Sequence, residues 1–453
     1  MYYIMEQIFD RLWVAVPEIL LPNEMIDLQK WAVVACDQYT SQPEYRQEVS
    51  DIVASAPSTL HIIYPEVYLE EEHPEERIER IQTSMHTYLD GVLEHVWSCF
   101  VALDRKTMHT SSRKWLVVAL DLEKYDYSVG SQTLIRATEW TIVDRLPPRI
   151  KIRNGAPIEL PHIMVLIDDE EKTVIEPLFD DLVTSKKLYD FDLMMESGHI
   201  TGYQIADQNK IHTIVSALEK LADPSTFQAK YAVGTDLGVL LFAMGDGNHS
   251  FATAKAIREE KKKTLSADQQ ASHPARFALV ELVNVHDEWL SFEPIHRVLF
   301  GVEYEHLITE MQTYFQSMWS DLVVSTYSSQ EEMKKNLKTS TREHHYVCFV
   351  HEWTFGILDI VNPKLNLEVG NLQAFLDQYL KAHPEVKIDY VHGEEATENL
   401  WTKHGNLWFL LPIMDKRDFF KTVIVDGALP RKTFSMGEAS EKRFYLECRK
   451  IEK

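Results

Sequence analysis

The chain has 453 residues, with 46 Lys and Arg against 70 Asp and Glu and a formal net charge of −24, and its pI is near 5.2. That sign argues against bulk nucleic acid and anionic membrane as partners, both of which want clustered Lys and Arg, and leaves room only for a local basic pocket. A hydrophobic content of 45%, with 19 Tyr, 19 Phe and 10 Trp, supplies core material for two or three domains and excludes a disordered chain.

No apolar run approaches the roughly 20 residues that span a bilayer, and the N-terminus, which carries acids and lacks a basic start, makes a poor signal peptide. Cys36, Cys99, Cys348 and Cys448 are scattered with no CxxC pair. They read as reduced, mostly buried thiols of a cytoplasmic protein rather than a disulfide framework or a zinc site.

In chain order, Trp31-Ala32-Val33-Val34-Ala35-Cys36 reads as a buried strand. It ends in the polar loop 37–43, where Thr40 or Ser41 caps a helix and Pro43 fits the first turn. A second helix opens at Pro74. Ile78, Ile81, Met85, Leu89 and Val92 recur at spacings of three and four, and Glu75, Glu76 and Glu79 suit the N-terminal end of its dipole. Strands are expected over 100–103 and 115–122, joined by a polar stretch at 106–114. In Thr133-Leu134-Ile135-Arg136-Ala137-Thr138-Glu139-Trp140-Thr141 the charges of Arg136 and Glu139 stand inside an apolar and β-branched run. Such charges are costly unless paired or used, so either the two pair with each other or they line a cleft. Asp144-Arg145 follows, and then a strand over 163–167.

A helix carrying Ile211, Ile214, Val215, Leu218 and Leu221 precedes the most informative segment. The apolar run 238–244 reads as a strand. It leads into Gly245-Asp246-Gly247-Asn248-His249-Ser250 and then into a helical pattern over 251–258. One reading is a helix start alone, with Asn248 or Ser250 as the cap. The other is an anion site, because the first turn of a helix offers free N–H groups and positive dipole at a glycine turn that lets a ligand approach the backbone. The string fits neither a Walker loop nor a dinucleotide fingerprint.

Residues 277–285 read as a buried strand. From about 303 the texture changes. Helices near 307–318, 331–337 and 371–380 and strands over 346–350 and 355–360 suggest an additional α+β domain, and the division is placed at 1–300 and 301–453. His344-His345 and His351 read as surface or core histidines rather than ligands. The tail combines a basic, hydroxyl-rich loop at 429–437 with the charged string 438–446. It reads either as a phosphate or carboxylate contact or as an ordinary terminal strand.

Several of these strings resemble the bacterial and archaeal family catalogued as domain of unknown function 1015. Its best-marked motif, roughly A-D-G-H-H-R, aligns with Gly245-Asp246-Gly247-Asn248-His249-Ser250. Its P-T-H-R-V segment resembles Glu293-Pro294-Ile295-His296-Arg297-Val298. Its H-E-x-T segment with a later Asp-Arg resembles Thr138-Glu139-Trp140-Thr141 with Asp144-Arg145, and the tail from Pro430 to Arg449 looks like a subgroup's. Asn248 stands where many members have His, and Ser250 where many have Arg, so the strongest phosphate-gripping side chain of the usual motif is missing. The glycine turn and its helix also resemble the partition-protein-B-like fold, a superfamily that includes a kinase of free serine.

The resemblance implies an α/β to α+β chain, with mixed sheets, flanking helices and a partition-protein-B-like core. It implies a nucleotide-dependent phosphotransferase acting on a small hydroxyl metabolite. Asp246 would hold Mg²⁺ or polarise the nucleophile, Glu139 would be the general base, and His249 would grip the transferred phosphate. Gly245, Gly247, Asn248, Ser250, Arg145, His296 and Arg297 would bind the ligand, with ATP or ADP as the nucleotide. The alternative is a non-catalytic nucleotide- or metabolite-binding regulator, which the substituted motif favours. A homo-oligomer is compatible with either.

Overall fold

The structure is a computed structural model, and it describes residues 7–40, 42–69, 71–128, 130–139, 146–392, 405–437 and 439–452. The chain forms two compact units, one of Met1–Leu290 with Glu438–Lys453, the other of Ser291–Gly437. The tail, counted in the sequence with the C-terminal region, returns to the first unit because its own polar and aromatic groups are buried there.

The first unit is built on a mixed sheet. Its strand order is Lys187–Asp192, His199–Ile205, Phe100–Lys106, Arg113–Asp121, Phe277–Asn284, Met164–Ile167, Phe242–Asp246 and Ile135–Arg136. Met164–Ile167 runs parallel to Phe277–Asn284, and Phe242–Asp246 runs parallel to Ile135–Arg136. Met164–Ile167 and Phe242–Asp246 run antiparallel, so that Met164 stands opposite Asp246. The central strand Phe277–Asn284 is buried along its whole length, as its unbroken apolar texture requires. Leu116, Val118, Val165, Ile167, Phe242, Met244, Val280 and Leu282 form the core with Ile211, Ile214 and Leu218 of the helix Gln208–Leu221, whose N-cap is Asp207.

The helix Pro74–Gly91 turns Ile81 and Met85 inward with Pro74 in its first turn, as the spacing predicts. The helix Pro43–Val53 starts on its proline, although its N-cap is Gln42 rather than Thr40, and Ser41 lies outside the described residues. The strand expected over 31–36 is a correction. Only Val33–Val34 is strand, preceded by the helical turn Leu28–Trp31. The segment is buried because it packs on the tail: Val33–Val34 pairs with Phe444–Tyr445, and the Trp31 indole Nε1 donates to the Leu446 carbonyl at 3.0 Å.

The second unit is an antiparallel sheet with helices, an α+β arrangement. Its order is Asp321–Tyr327, Thr354–Val361, His344–His351, Asn406–Leu410, Glu293–Phe300 and Lys387–His392. Val298, Met333, Val350 and Trp408 anchor its core. Across the described residues, no helix is long and apolar enough to cross a membrane. The four thiols are free, three of them buried and Cys36 half-buried.

Candidate functional site

The strand Phe242–Asp246 is buried as far as Met244, and the chain is half-buried from Gly245 to Ser250. Gly247 is the N-cap of the 15-residue helix Asn248–Lys262 and has φ +81. A side chain there would be strained, and a Cβ would stand 3.1 Å from the Ile163 Cα. The first intrahelical bond runs from the Phe251 N–H to the Gly247 carbonyl at 3.0 Å. The amides of Asn248, His249 and Ser250 therefore belong to the turn that has no intrahelical acceptor. This is both a helix start and a geometry fit for an anion.

Around that turn the side chains of Asp246, Asn248 and Ser250 are held by neighbours. Asp246 Oδ1 accepts from the Gly247 N–H at 2.8 Å, and its Oδ2 lies 3.2 Å from Lys442 Nζ. Asn248 Oδ1 accepts from the Thr138 N–H at 3.3 Å, and the Thr138 hydroxyl donates to the Met244 carbonyl. Ser250 Oγ and His162 Nε2 stand 2.8 Å apart.

His162 was not singled out in the sequence. It stands just before the strand Met164–Ile167, whose register brings it beside Asp246. Its ring meets Tyr445 edge-on at 5.5 Å. Burial pushes its pKa below the ordinary imidazole value, and the carboxylates of Asp37, Asp246 and Glu66 pull the other way without prevailing. The ring is therefore neutral at pH 7, and its Nδ1 is sealed from solvent with no hydrogen-bond partner among the described residues. Asp37 Oδ1 is in the same condition. The loop carrying Asp37 is braced by Arg46, whose Nη2 donates to the carbonyls of Ala35 at 3.1 Å and Gln38 at 2.9 Å. Glu66 is paired with Arg149.

The tail delivers Lys442. Arg105, wholly buried, donates to the carbonyls of Ser440 at 2.6 Å and Glu441 at 3.1 Å, and burial lowers its pKa to about 9. Arg113 pairs with Glu441 at 3.2 Å, Arg443 pairs with Glu447, and Arg449 reaches Glu159 at 2.9 Å. The basic loop 429–437, read as a phosphate or carboxylate contact or an ordinary terminal strand, places Arg431 on the Asp377 carboxylate. Within the first unit the cation beside the turn is Lys442, whereas Arg431 belongs to the second unit and pairs there with Asp377 at 3.0 Å.

The sequence-predicted residues divide accordingly. Gly245, Asp246, Gly247, Asn248, His249 and Ser250 form the turn, and Glu139 is exposed next to Thr138, whose backbone bonds the turn. Arg136 does not take the expected Glu139 partner. It is buried, with its guanidinium donating to the carbonyls of Thr133 and Gly238, and burial lowers its pKa to about 10. Arg145 lies outside the described residues. His296 and Arg297 stand in the second unit. His296 Nδ1 accepts from the Leu411 N–H at 3.1 Å. Arg297 is fully buried and donates to Gln373 at 3.1 Å and to the carbonyls of Ile295 and Arg431. A guanidinium engaged in this way holds its own unit together and offers no face to a phosphate.

Chemically, the turn combines an anion-binding backbone, a cation, a half-exposed carboxylate and a neutral imidazole. Asp246 is the carboxylate beside the turn that could hold a divalent ion.

A family model described as "Protein of unknown function (DUF1015)" matches residues 20–379. No curated protein matches the sequence. Among solved structures, a conserved hypothetical protein from Pyrococcus furiosus is similar at 12% identity and TM-score 0.34, over 74% of this chain and 95% of that one. A free serine kinase in complex with ADP is similar at 12% identity and TM-score 0.37, over 74% and 92%. SbnI from Staphylococcus aureus, truncated at its C-terminus, is similar at 12% identity and TM-score 0.29, over 73% and 82%.

Proposed function

The chain belongs to the family of proteins of unknown function DUF1015, and on that premise we propose that its 245–250 turn binds the phosphate end of a nucleotide and transfers a phosphoryl group to a small hydroxyl metabolite such as serine. One observation supports this above the others: open first-turn amides, Lys442 and Asp246 stand together beside a neutral histidine. Amides and lysine offset phosphate charge. Asp246 would hold Mg²⁺, which would supply positive charge for the phosphates; His249 orients the transferred group, and Glu139 takes the proton of the attacking hydroxyl. The substrate oxygen bonds to the terminal phosphorus of the nucleotide, the bridging P–O bond breaks, and the nucleotide one phosphate shorter leaves, ADP from ATP or AMP from ADP.

The test is turnover. Purified protein with ATP or ADP, Mg²⁺ and serine or related hydroxy acids should yield a phosphorylated product, and Asp246→Asn and Glu139→Gln should abolish it while the fold survives. Absence of product from every pair rejects the transferase.

A second reading, a binding protein without turnover, draws on one specific observation. Asn248 and Ser250, which replace the usual His and Arg of the family motif, are occupied locally, Asn248 with Thr138 and Ser250 with His162. Nucleotide that raises the melting temperature by linkage without product formation supports that reading.

A further inference from the structure

The helix Tyr304–Ser317 carries His306 and Glu310 one turn apart, hence on one face. His383 follows the helix Glu368–Ala382 as its C-cap. All three belong to the second unit. Glu310 Oε1 lies 3.2 Å from His306 Nε2 and 3.0 Å from His383 Nε2. The three ligand atoms lie within 4.8 Å of one another, the one such group of His, Cys, Asp or Glu among the described residues. The two imidazoles cross edge to face at 5.5 Å and 83°.

Two features separate this group from a chance surface pairing. The carboxylate receives two imidazole nitrogens and, among the described residues, no lysine or arginine. Behind His383 stands a second carboxylate: its Nδ1 lies 3.4 Å from Glu385 Oε1, and the Tyr379 ring packs on it at 4.3 Å. A carboxylate on the far nitrogen of a histidine is what fixes the tautomer and orientation of a metal ligand.

We propose that His306, Glu310 and His383 bind one divalent cation of the zinc class through Nε2, a carboxylate oxygen and Nε2, with water in the fourth position. Two imidazoles and one carboxylate suit Zn²⁺, Co²⁺ or Ni²⁺, whereas Mg²⁺ and Ca²⁺ want oxygen alone. On binding, the ring proton of His383 moves from Nε2 to Nδ1, where Glu385 accepts its hydrogen bond. The ion ties the start of one helix to the end of another inside the second unit. The proposal is independent of the nucleotide site.

The experiment titrates Zn²⁺ into the full chain, stripped with a chelator, in competition with a chromophoric zinc indicator, and repeats it with Co²⁺ to read the visible bands of four-coordinate cobalt. One equivalent should bind. His306→Ala, His383→Ala and the near-isosteric Glu310→Gln should each weaken binding more than tenfold, and Glu385→Gln by roughly tenfold, as outer carboxylates do. His344→Ala, elsewhere in the same unit, should leave binding unchanged, and circular dichroism confirms that each variant is folded. Absence of stoichiometric binding, or binding that persists in the variant lacking all three ligands, overturns the proposal.

Discussion

Lys442 Nζ and Asp246 Oδ2 meet at 3.2 Å across 196 residues of chain. The pair is only partly shielded, at 16% and 32% side-chain exposure, so it contributes about 1 kcal/mol or less to folding. On the proposed function, Lys442 acts on the ligand. Lys442→Met should weaken binding of Mg²⁺-ATP about tenfold, or roughly 1.4 kcal/mol, and leave the urea midpoint nearly unchanged. Calorimetric titration checks this, and equal affinity in the variant removes Lys442 from the site.

Gly247→Ala places a Cβ at φ +81, 3.1 Å from the Ile163 Cα. A non-glycine residue held there costs on the order of 1–2 kcal/mol. Chemical denaturation should show that loss, together with weaker nucleotide binding because the amides of the turn are displaced. A variant as stable as the parent would show that the turn tolerates a side chain.

The burial of His162 gives a pH dependence with a definite sign. Its folded pKa lies below the ordinary value of 6.5, so the unfolded chain takes up a proton first as pH falls. The contribution is fully present above about pH 6.5 and is lost as pH drops from there toward the folded pKa. His345 in the second unit has the same sign and the same leading cause, while burial raises Glu281 to about 7 and gives it the opposite sign. The informative quantity is therefore a difference. Between pH 7 and pH 5 the parent should lose more stability than His162→Gln, and parallel curves would contradict a neutral His162.

Arg297 separates a structural cation from a ligand-binding one. Arg297→Met leaves Gln373 and the carbonyls of Ile295 and Arg431 without their donor inside the second unit. A loss on the order of 3 kcal/mol is expected, with nucleotide affinity of the folded fraction unchanged. Lost affinity at preserved stability would return Arg297 to the ligand.

Ending the chain at Gly437 removes the tail partners of Arg105, Arg113, Glu159 and Trp31 together, leaving Glu159 only Arg153 as a cation among the described residues. Uncompensated buried charges are strongly destabilising. The shortened protein should fail to give the cooperative melting transition of the first unit, as calorimetry would read it.

Local chemistry was legible from the residues alone. The three-and-four spacing of Ile81 and Met85, the apolar run at 277–284 and the glycine turn at 245–250 depend on near neighbours, and the structure builds them as expected. What depended on distant pairing was not legible. Trp31–Cys36 has strand-like composition, yet its burial comes from the tail and only Val33–Val34 pairs. His162 reaches the turn through the antiparallel register that sets Met164 against Asp246, and nothing in a string of letters fixes that register. The arginine of the Pro-Ile-His-Arg-Val segment carried a motif's promise, but it is fully buried and bonds Gln373 and the carbonyls of Ile295 and Arg431.

Because residues 291–437 interrupt the first unit in the order of the chain, the glycine turn leaves the ribosome long before the lysine that neighbours it. A nascent polypeptide therefore holds the turn unfinished, with Arg105 and Arg113 lacking their tail partners, until translation has passed Lys442. On the proposed function, ligand capture at this place would be tied to completion of synthesis, and a prematurely terminated product would lack the lysine beside the turn.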